Sequence, residues 1–517
     1  MLYRPEEELL WDTWLVSDEG SYYLFYIRLS TSRSPSSPKP SLGDGWDGIS
    51  LARSADLLHW EEMGPIFEMH PDAAWLGTGM VFRRGDRFVM TFCEERPVGC
   101  PVISFAESRN LLEWNRLPND YDLRPDPRFY QVEQSESADP LPRWGDLSVA
   151  PPSNGQQHYL GFAVANARET LPGHCGTLGL LISDDGLTWE AQPPAIAPGI
   201  YPSYEVPEHV ALGERHYILF STNSTAGPRF DTRATGPHSG TYYVVSDCAT
   251  GPYVKPPHDN LLLGQRDTPR LFGTYVGRPL RISDHEVLLY HQWTAKIPDG
   301  WWGPPKLLVE RGPYQLGVDY WPGCDGLKAK LLARGVRGGQ WKPLKAAGRV
   351  PVIEWADDGE TIHAVNRGGT HGIVWQVPAG ELSRSNTDLS DGRVLEMGMR
   401  IREGRGLGLW IGRGAQARAC GLLVNAASGA VEFGSFFFTK DGASWLFQPD
   451  ERAEWPVVLG ARHQVRVIFR RQFLELYIDG RFVHAYISAD LFEPADLGFF
   501  AELAAGDFVA PAVWSMA

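Results

Sequence analysis

Three short acidic motifs stand out because each lies just before a segment with the pattern of a β-strand. They are WDTWLV around Asp12, RWGDLSV around Asp146 and YEVPEHV around Glu205. Cleavage of a glycosidic bond requires carboxyl groups in one pocket, because one donates a proton to the leaving oxygen while another supports the positive charge that grows on the sugar carbon. The motifs therefore predict a glycoside hydrolase with Asp12, Asp146 and Glu205 as its catalytic groups.

The segments that would position these acids show the alternation of half-buried strands. After a polar turn, aromatic or aliphatic residues alternate with others in GSYYLFYI (20–27), GDRFVMTFC (85–93), QQHYLGFAV (156–164), ERHYILFS (214–221) and DHEVLLYHQW (284–293). A second repeat of serine, polar turn and tryptophan marks the expected outermost strand of a blade in SADLLHW (54–60), SRNLLEW (108–114) and SDDGLTW (183–189). This internal period predicts a five-bladed β-propeller.

In a propeller the innermost strands converge on a central axis, and the residues at their starts face one cavity. Asp12, Trp75, Asp146 and Glu205 each precede an alternating strand by a distance that suits an innermost strand. The spacing predicts that they meet at one pocket, with a fifth blade that begins near RDTPRLFGTYVGRP (266–279).

The chain is predicted to be all-β with two folded domains. Its 517 residues include 12% aromatics, 55 Gly and 40 Pro, a composition that favours short strands and tight turns. We predict the propeller over residues 1–325, a basic and Gly-rich linker over 326–345, and a C-terminal β-sandwich over 346–517, where regularly spaced strands return. The acids of the sandwich are scattered, so no chemistry is assigned to it.

Charge and cysteine usage argue against several kinds of partner. The net charge is -15 and no run of Lys or Arg stands out, which disfavours nucleic acid or an anionic membrane as a partner. The six cysteines lack the spacing of a disulfide framework or a zinc site, so free buried thiols are expected, with a Cys93–Cys100 pair as the alternative. No phosphate-binding loop or dinucleotide fingerprint occurs, and neither a cofactor nor a metal is predicted.

The N-terminal segment MLYRPEEELLW lacks the apolar core of a signal peptide. No stretch of the chain approaches the roughly 20 apolar residues that span a bilayer. These features predict a cytoplasmic protein and leave its oligomeric state open.

The order of the three acids, the predicted propeller and the C-terminal segment FLELYIDGR (473–481) together resemble glycoside hydrolase family 32. This is the β-fructofuranosidase, inulinase and levanase group, and the resemblance extends more distantly to family 43. It covers essentially the whole chain, but the motifs are degenerate. Where family 32 usually has Asn-Asp-Pro-Asn, only the aspartate remains in WDTW (11–14).

The other motifs also depart from the family pattern. The family's Arg-Asp-Pro becomes GDL (145–147), with Arg143 displaced by two residues, and RPDP (124–127) is a rival ranked lower because the stretch after it is polar. YEVPEHV (204–210) has the form of the family's Glu-Cys-Pro-Asp segment, with valine for the cysteine and glutamate for the aspartate. WLGTG (75–79) resembles the aromatic-Ser/Thr-Gly segment that lines the family's sugar subsite.

The resemblance implies a role for each acid. Asp12 would be the nucleophile, Glu205 the acid/base with a raised pKa, and Asp146 the group that stabilises the transition state. Sugar rings stack on aromatic faces, and their hydroxyls bond to fixed polar groups. The predicted substrate-binding residues are Trp11, Trp14, Trp75, Arg143, Tyr204, Glu208, His209, Trp293, Trp301 and Trp302.

The leading hypothesis is a retaining furanosidase that cleaves or transfers a β-fructofuranoside or a fructan. The alternatives among enzymes are an inverting arabinofuranosidase or xylosidase of the family 43 type and a D-arabinofuranosidase. Carboxyl separations of about 5–5.5 Å for retention and about 6.5–9.5 Å for inversion distinguish the mechanisms. The alternative outside the enzymes is a carbohydrate-binding propeller whose acids only hold hydroxyls.

Overall fold

The computed structural model of the chain divides into two compact units. The first spans Leu2–Gly264 and Pro269–Val318, and the second contains Asp319–Ala517. The structure describes all residues apart from 31–45, 47, 74, 97–100, 133–142, 154–155, 172, 223–238, 265–272, 297–298, 336–339, 344–352, 358, 367, 369, 377–384, 413–418, 439–444 and 493–495.

The first unit contains four separate antiparallel sheets of four strands, in which the spatial order of the strands follows the sequence. The first two sheets hold β1 (Glu8–Asp18), β2 (Ser21–Ser30), β3 (Gly48–Ser54), β4 (Glu61–Glu68), and then β5 (Leu76–Arg84), β6 (Arg87–Glu95), β7 (Pro101–Ser108) and β8 (Asn115–Arg116). The next two hold β9 (Trp144–Ala150), β10 (Tyr159–Asn166), β11 (Gly176–Ser183), β12 (Glu190–Gln192), and then β13 (Glu205–Leu212), β14 (Arg215–Thr222), β15 (Gly240–Ser246) and β16 (Leu261–Gly264).

The strands of the predicted fifth blade do not form a separate sheet. They are β17 (Thr274–Ser283), β18 (Glu286–Lys296), β19 (Asp299–Trp302) and β20 (Lys306–Gly312), and they belong to a 17-stranded sheet. The physical reason is that β18 pairs with β19 near its end and with β20 near its start, and the hydrogen bonding continues into the next strand. The structure therefore has four separate blades where five were predicted.

The first strands of these groups lie side by side around a common centre. They contact one another in the cyclic order β1, β5, β9, β13, β17 and back to β1, which is a propeller-like arrangement. Apolar side chains fill the space between neighbouring sheets, for example Trp14 and Phe25 of the first sheet with Met90 and Phe92 of the second. Burial of each such side chain contributes roughly 1.5–3 kcal/mol, so the packing of sheet against sheet fixes where the first strands lie.

The serine–tryptophan repeat forms the turn between the third and fourth strands of a sheet. Ser183 Oγ accepts the N–H groups of Asp185 and Gly186, and Asp185 Oδ1 accepts those of Leu187 and Thr188. The turns at Ser54 with Asp56 and at Ser108 with Asn110 repeat this arrangement. The predicted marker of the outermost strand therefore lies just before that strand, where its side chains accept the backbone N–H groups of the turn.

The second unit is also built of antiparallel strands, which form the large C-terminal part of the 17-stranded sheet. Its longest strand, β33, pairs with β22, β25, β26 and β27 and so holds much of the unit together. The strands are β21 (Gln315–Tyr320), β22 (Lys328–Arg334), β23 (Gln340–Pro343), β24 (Ile353–Asp357), β25 (Thr361–Asn366), β26 (Thr370–Gln376), β27 (Arg393–Gly412), β28 (Ala419–Asn425), β29 (Ala430–Phe438), β30 (Trp445–Glu454), β31 (His463–Ile478), β32 (Arg481–Phe492) and β33 (Asp496–Met516).

The segment 326–345, predicted as a linker, contains β22 and β23 of the second unit. β22 pairs with β33 and β23 pairs with β26, so both strands belong to the sheet of the second unit. The helices among the described residues are three short 3-10 turns, Asn119–Tyr121, Pro322–Leu327 and Leu389–Asp391. Over the described part of the chain, no helix has the length and apolar character needed to cross a membrane.

Candidate active site

Each of the three predicted acids lies at an irregularity in the first strand of its sheet. In β1 the pairing register shifts between Trp11 and Thr13, and Asp12 at the shift has a φ of 31°. In β9 Asp146 has a φ of 49°, opposite a register shift in β10. In β13 the shift follows Glu205, whose neighbour Val206 has a φ of 50°. Bulges of this kind re-aim side chains out of the regular alternation, which is how these strands turn the acids toward the centre.

The other two central strands carry the same irregularity without an acid. The register of β5 shifts between Gly77 and Gly79, at Thr78. The register of β17 shifts after Tyr275, where Val276 has a φ of 52°. Positive φ is costly for residues other than glycine, so recurrence of these bulges around the centre indicates a functional constraint.

Asp12 is held by a neighbouring sheet. The Thr78 hydroxyl of β5 donates a hydrogen bond to Asp12 Oδ2. Burial, and then the charge of Asp146, raises the pKa of Asp12 to about 8, with a smaller contribution from Glu205 and with the Thr78 hydrogen bond acting in the opposite direction. Asp12 therefore retains a proton near neutral pH while the site holds no substrate.

Asp146 has a hydrogen-bond donor on each oxygen. The backbone N–H of Val206 donates to Oδ2 at 3.0 Å, and the thiol of Cys93 lies 3.6 Å from Oδ1. Burial raises the pKa of Asp146 to about 6; the charge of Glu205 also raises it, and the Val206 N–H opposes the shift. Asp146 is thus linked to the strand that carries Glu205 and to a thiol of the second sheet.

Glu205 is held by one side chain that directly precedes β9 and by another from β17. Arg143 Nη1 donates to Glu205 Oε1 at 2.7 Å and to Ser203 Oγ at 2.8 Å, and the Tyr275 hydroxyl donates to Glu205 Oε2. Burial and then the charge of Glu205 keep the pKa of Tyr275 well above its ordinary value, so the phenol stays a donor. Arg143, predicted as a sugar-binding residue, is therefore in contact with the acid/base candidate.

The three carboxyl groups act on each other electrostatically, since the charges of Asp146 and Glu205 both raise the pKa of Asp12. Repulsion of this kind favours a proton on Asp12, whose pKa is about 8, while Asp146, whose pKa is about 6, is ionised near neutral pH. The site thus holds one proton and negative charge together near neutral pH. These are the two ingredients of acid–base chemistry on a glycosidic bond.

A buried ion pair lies directly behind the acids. Arg278 of β17 is 1% exposed, and its Nε donates to Glu208 Oε2 of β13. Its Nη1 also donates to the backbone carbonyls of Thr13 (3.4 Å) and Gly79 (2.9 Å). Glu208 was predicted to bind substrate. Burial raises its pKa, and the charge of Arg278 opposes this shift. In the structure, the Glu208–Arg278 ion pair and the other contacts of Arg278 hold four of the central strands together.

Two of the predicted aromatic platforms lie at the site. Trp11 precedes Asp12, stacks on Trp46 at a centroid distance of 6.2 Å and contacts the ring of Tyr275 at 6.4 Å. Trp75 is half-buried, and its indole packs against Gly77, next to Thr78. Trp75 therefore remains a candidate for contact with a sugar ring, whereas Trp11 is 5% exposed and packs in the core of the first unit.

The other predicted binding residues in the first and fourth sheets belong to the core. Trp14 is 1% exposed and stacks on Phe25, because it follows the bulge and points between sheets. Tyr204 is fully buried against Phe220. His209 stacks on Phe162, and its Nε2 lies 3.0 Å from His216 Nδ1. Burial, followed by the charge of His216, lowers its pKa to about 3, so the ring is neutral and packs against its neighbours.

The tryptophans after the last alternating strand are also structural. Trp301 and Trp302 were predicted to bind substrate, but they lie in β19, where they are 5% and 0% exposed. Trp302 stacks on Tyr290, and Trp293 of β18 is fully buried. The pairing of β18 with β19 turns these rings into the interior, which explains the error.

Four residues at the site were missed by sequence reasoning: Thr78, Cys93, Tyr275 and Arg278. A signal for two of them was available, since Thr78 lies in WLGTG and Tyr275 in RDTPRLFGTYVGRP, both at the expected start of a central strand. The described residues hold no group of three or more His, Cys, Asp or Glu that could bind a metal ion.

The thiols partly match the prediction. Cys93, Cys175, Cys324 and Cys420 are buried and form no disulfide bond with another described residue. Cys248 is free but exposed, because it lies in the turn after β15. Cys100, the alternative partner of Cys93, lies outside the described residues.

No protein-family model matches this sequence, and no curated protein matches it by sequence. Solved structures do match its fold. The chain is similar to the GH32 β-fructofuranosidase BmSUC1 of Bombyx mori, with 14% identity, a TM-score of 0.62, and coverage of 99% of this chain and 94% of that one.

Two further structures have the same likeness. The fructofuranosidase of Schwanniomyces occidentalis, solved with fructose, has 12% identity, a TM-score of 0.64, and coverage of 99% and 97%. Fructan 1-exohydrolase IIa of Cichorium intybus has 14% identity, a TM-score of 0.59, and coverage of 99% and 96%. The chain therefore has, over essentially its whole length, the fold seen in solved structures of glycoside hydrolase family 32.

Proposed function

We propose that this protein is a glycoside hydrolase that cleaves or transfers a furanoside, most simply a β-fructofuranoside or a fructan. The observation that carries the proposal is the meeting of Asp12, Asp146 and Glu205, each from a bulge in a different central strand, as one electrostatically coupled set. The fructose bound in the structure of the Schwanniomyces occidentalis relative in fold supports a carbohydrate substrate.

The mechanism that we propose is a double displacement. An Asp12 carboxylate oxygen attacks the anomeric carbon as the bond to the leaving oxygen breaks, and Glu205 gives its proton to that oxygen. Water then attacks the covalent glycosyl-enzyme, Glu205 takes the proton from water, and Asp12 leaves as a carboxylate. Asp146 supports the positive charge in both transition states.

This mechanism needs Asp12 ionised and Glu205 protonated at the moment of attack. In the substrate-free site the retained proton resides on Asp12, whose pKa is about 8. We propose that binding of a sugar moves this proton to Glu205, whose two oxygens accept hydrogen bonds from Arg143 and Tyr275 in the substrate-free site.

We also propose that β17, β18, β19 and β20 act as a fifth blade and that the second unit is a β-sandwich. The bulge at Val276 supports this, since it falls in β17 where the other four central strands have theirs. The likeness to family 32 structures over 99% of the chain supports both assignments.

One observation favours a furanoside other than fructose as the substrate. Trp11 stands where the resembling family has an asparagine, and Arg143 contacts Glu205 rather than standing directly before Asp146. Two polar contacts to sugar hydroxyls are thereby replaced or redirected. An arabinofuranosidase, whether inverting or acting on the D-sugar, is therefore the second candidate.

The test is incubation of the full chain with sucrose, inulin, levan, arabinan and aryl furanosides, with NMR detection of the first-formed anomer. Release of fructose with retained configuration supports the leading proposal, and release of arabinose or an inverted anomer supports the second. Binding without turnover by the parent chain, with affinity unchanged in Asp12→Asn and Glu205→Gln, would identify a carbohydrate-binding propeller instead.

A further inference from the structure

We propose that Cys93 is a positioning residue for the candidate catalytic acids. Its thiol donates a hydrogen bond to Asp146, and its sulfur sets the spacing of the bulges that carry Thr78 and Asp146. The inference rests on the proposed function, because it gives a buried thiol of the second sheet a part in that reaction. It concerns a residue that no motif of the sequence singled out as functional.

The contacts of Cys93 join two central strands. The residue lies in β6 and is 2% exposed, and it pairs with Gly77 of β5. Its Sγ lies 3.6 Å from Asp146 Oδ1 and 3.5 Å from the carbonyl oxygen of Thr78. A thiol has one weak proton to donate, and a carboxylate is the stronger acceptor of the two.

Two glycines make room for this sulfur. A Cβ at Gly77 would stand 2.6 Å from Cys93 Sγ, and a Cβ at Gly145 would stand 3.0 Å from it. Neither glycine has a positive φ, so backbone conformation does not require glycine at these positions. The close approach of the sulfur, together with the Trp75 indole at Gly77, requires it instead.

The arrangement is symmetrical about the sulfur. On one side Gly77 precedes Thr78, which donates to Asp12, and on the other Gly145 precedes Asp146. A larger side chain at position 93 would push the two bulges apart, and a smaller one would let them approach. Since core atoms are close-packed, a change of one atom here is transmitted to both acids.

The thiol serves as a donor and not as a nucleophile. Burial and then the charge of Asp146 keep the pKa of Cys93 well above its ordinary value, so it carries its proton at all working pH values. The hydrogen bond from Cys93 in turn lowers the pKa of Asp146. Loss of the thiol should therefore raise the pKa of Asp146 and loosen its carboxyl group.

The test compares Cys93→Ala and Cys93→Ser in the full chain with Cys420→Ala as a control. Cys420 is also a buried thiol without a disulfide bond, but it lies in the second unit with its Sγ 3.8 Å from a backbone carbonyl. We expect Cys93→Ala to lower kcat about 10-fold with KM nearly unchanged, as a small misplacement of a reacting group does. The acid limb of the pH profile of kcat/KM should move to higher pH.

Cys93→Ser keeps a hydroxyl donor in nearly the same place and should retain the position of the acid limb. Cys420→Ala should change only the Tm. A Cys93→Ala protein with the kcat and pH profile of the parent, after correction for the folded fraction, would overturn the proposal. So would a Cys93→Ser protein as impaired as Cys93→Ala.

A second measurement separates this inference from the proposed function. If the parent chain turns over no furanoside, the proposed function fails. The pH dependence of Tm still tests whether the thiol of Cys93 donates a hydrogen bond to Asp146. If the pKa of Asp146 in the folded state is higher, the folded state holds its proton to a higher pH than the unfolded state does. Tm should then fall more steeply as pH rises from about 4 to 7. Cys93→Ala should show this steeper fall, and a slope equal to that of the parent would overturn the inference.

Discussion

The inner and outer ends of the sheets in the first unit differ in the feature that is repeated from sheet to sheet. At the outer ends, the turns at Ser54, Ser108 and Ser183 repeat the same side chains in the same hydrogen bonds. At the inner ends, the bulges repeat the same backbone irregularity, but the side chains differ from sheet to sheet. Repeated side chains thus mark what stabilises each sheet, whereas different side chains on a repeated backbone mark the place where we propose that the chemistry occurs.

The largest expected effect comes from removing the acids at the inner ends. Glu205→Gln should lower kcat about 10²–10⁴-fold, because it removes general acid–base catalysis. Asp12→Asn should abolish the covalent step altogether, while both proteins keep the parent's affinity for a product sugar within a few-fold. Initial rates and product binding by calorimetry would check this, and a kcat within 10-fold of the parent for either variant would contradict it.

Breaking the ion pair behind the acids should have the next largest effect. Arg278→Met leaves Glu208 buried without its partner, which should lower the free energy of unfolding by about 3–5 kcal/mol. The double variant Arg278→Met/Glu208→Leu removes both charges and should recover much of this loss. Urea unfolding would measure both, and equal stabilities of the single and double variants would show that the pair does not act as a unit.

The raised pKa of Asp12 predicts a pH dependence of stability. The folded state binds a proton up to about pH 8, whereas an unfolded aspartate releases it near its ordinary value of about 3.9. The free energy of unfolding should therefore fall as pH rises through this window. In Asp12→Asn the fall should be smaller, so that its Tm exceeds that of the parent at pH 8 and the two converge near pH 4.

Asp185 provides the control with the opposite sign. The backbone N–H groups of Leu187 and Thr188 outweigh burial and lower its pKa, so its contribution to stability is present above pH 4 and lost in acid. Asp185→Asn should therefore be less stable than the parent at pH 7 and approach it in acid. A Tm of Asp12→Asn that followed the parent at every pH would contradict the assignment of a retained proton to Asp12.

The smallest effect should come from the outer turns. Asp185→Ala removes the acceptor for two backbone N–H groups and should cost about 1 kcal/mol, as loss of a helix N-cap does. Asn110→Ala in the sister turn should cost a similar amount, and kcat should be unchanged in both. Thermal unfolding and activity assays would check this. A loss of kcat in either variant would contradict the claim that the outer turns affect stability alone.

The strand alternation and the three acids were predictable because they are local patterns: period-two apolar residues and an acid before each strand. The partner of Arg143 could not be predicted from the sequence, because the contact between Arg143 and Glu205 joins residues 62 positions apart in the chain. Trp301 and Trp302 were misassigned for a related reason, since the Pro and Gly around them indicate a loop, while pairing with β18 decides the outcome.

Cys93 was beyond sequence reasoning for a different reason. It lies in a strand that alternates regularly, and nothing in GDRFVMTFC distinguishes its sulfur from a core atom. Only the approach of two glycines from neighbouring strands reveals it. The acids could be found in the sequence by residue type, but the residues that contact them could be found only from their positions in the structure.

The bulge at Val276 has a consequence for redesign. A β-branched residue at a φ of 52° is held there at a cost, and Val276 is fully buried at the centre of the ring. Aspartate or asparagine tolerates this backbone better than valine. An exchange of Val276 for asparagine would therefore relieve backbone strain in β17 but would bury a polar side chain in the apolar cluster that contains Trp11 and Val206, so packing at the centre opposes the residue that the backbone would prefer.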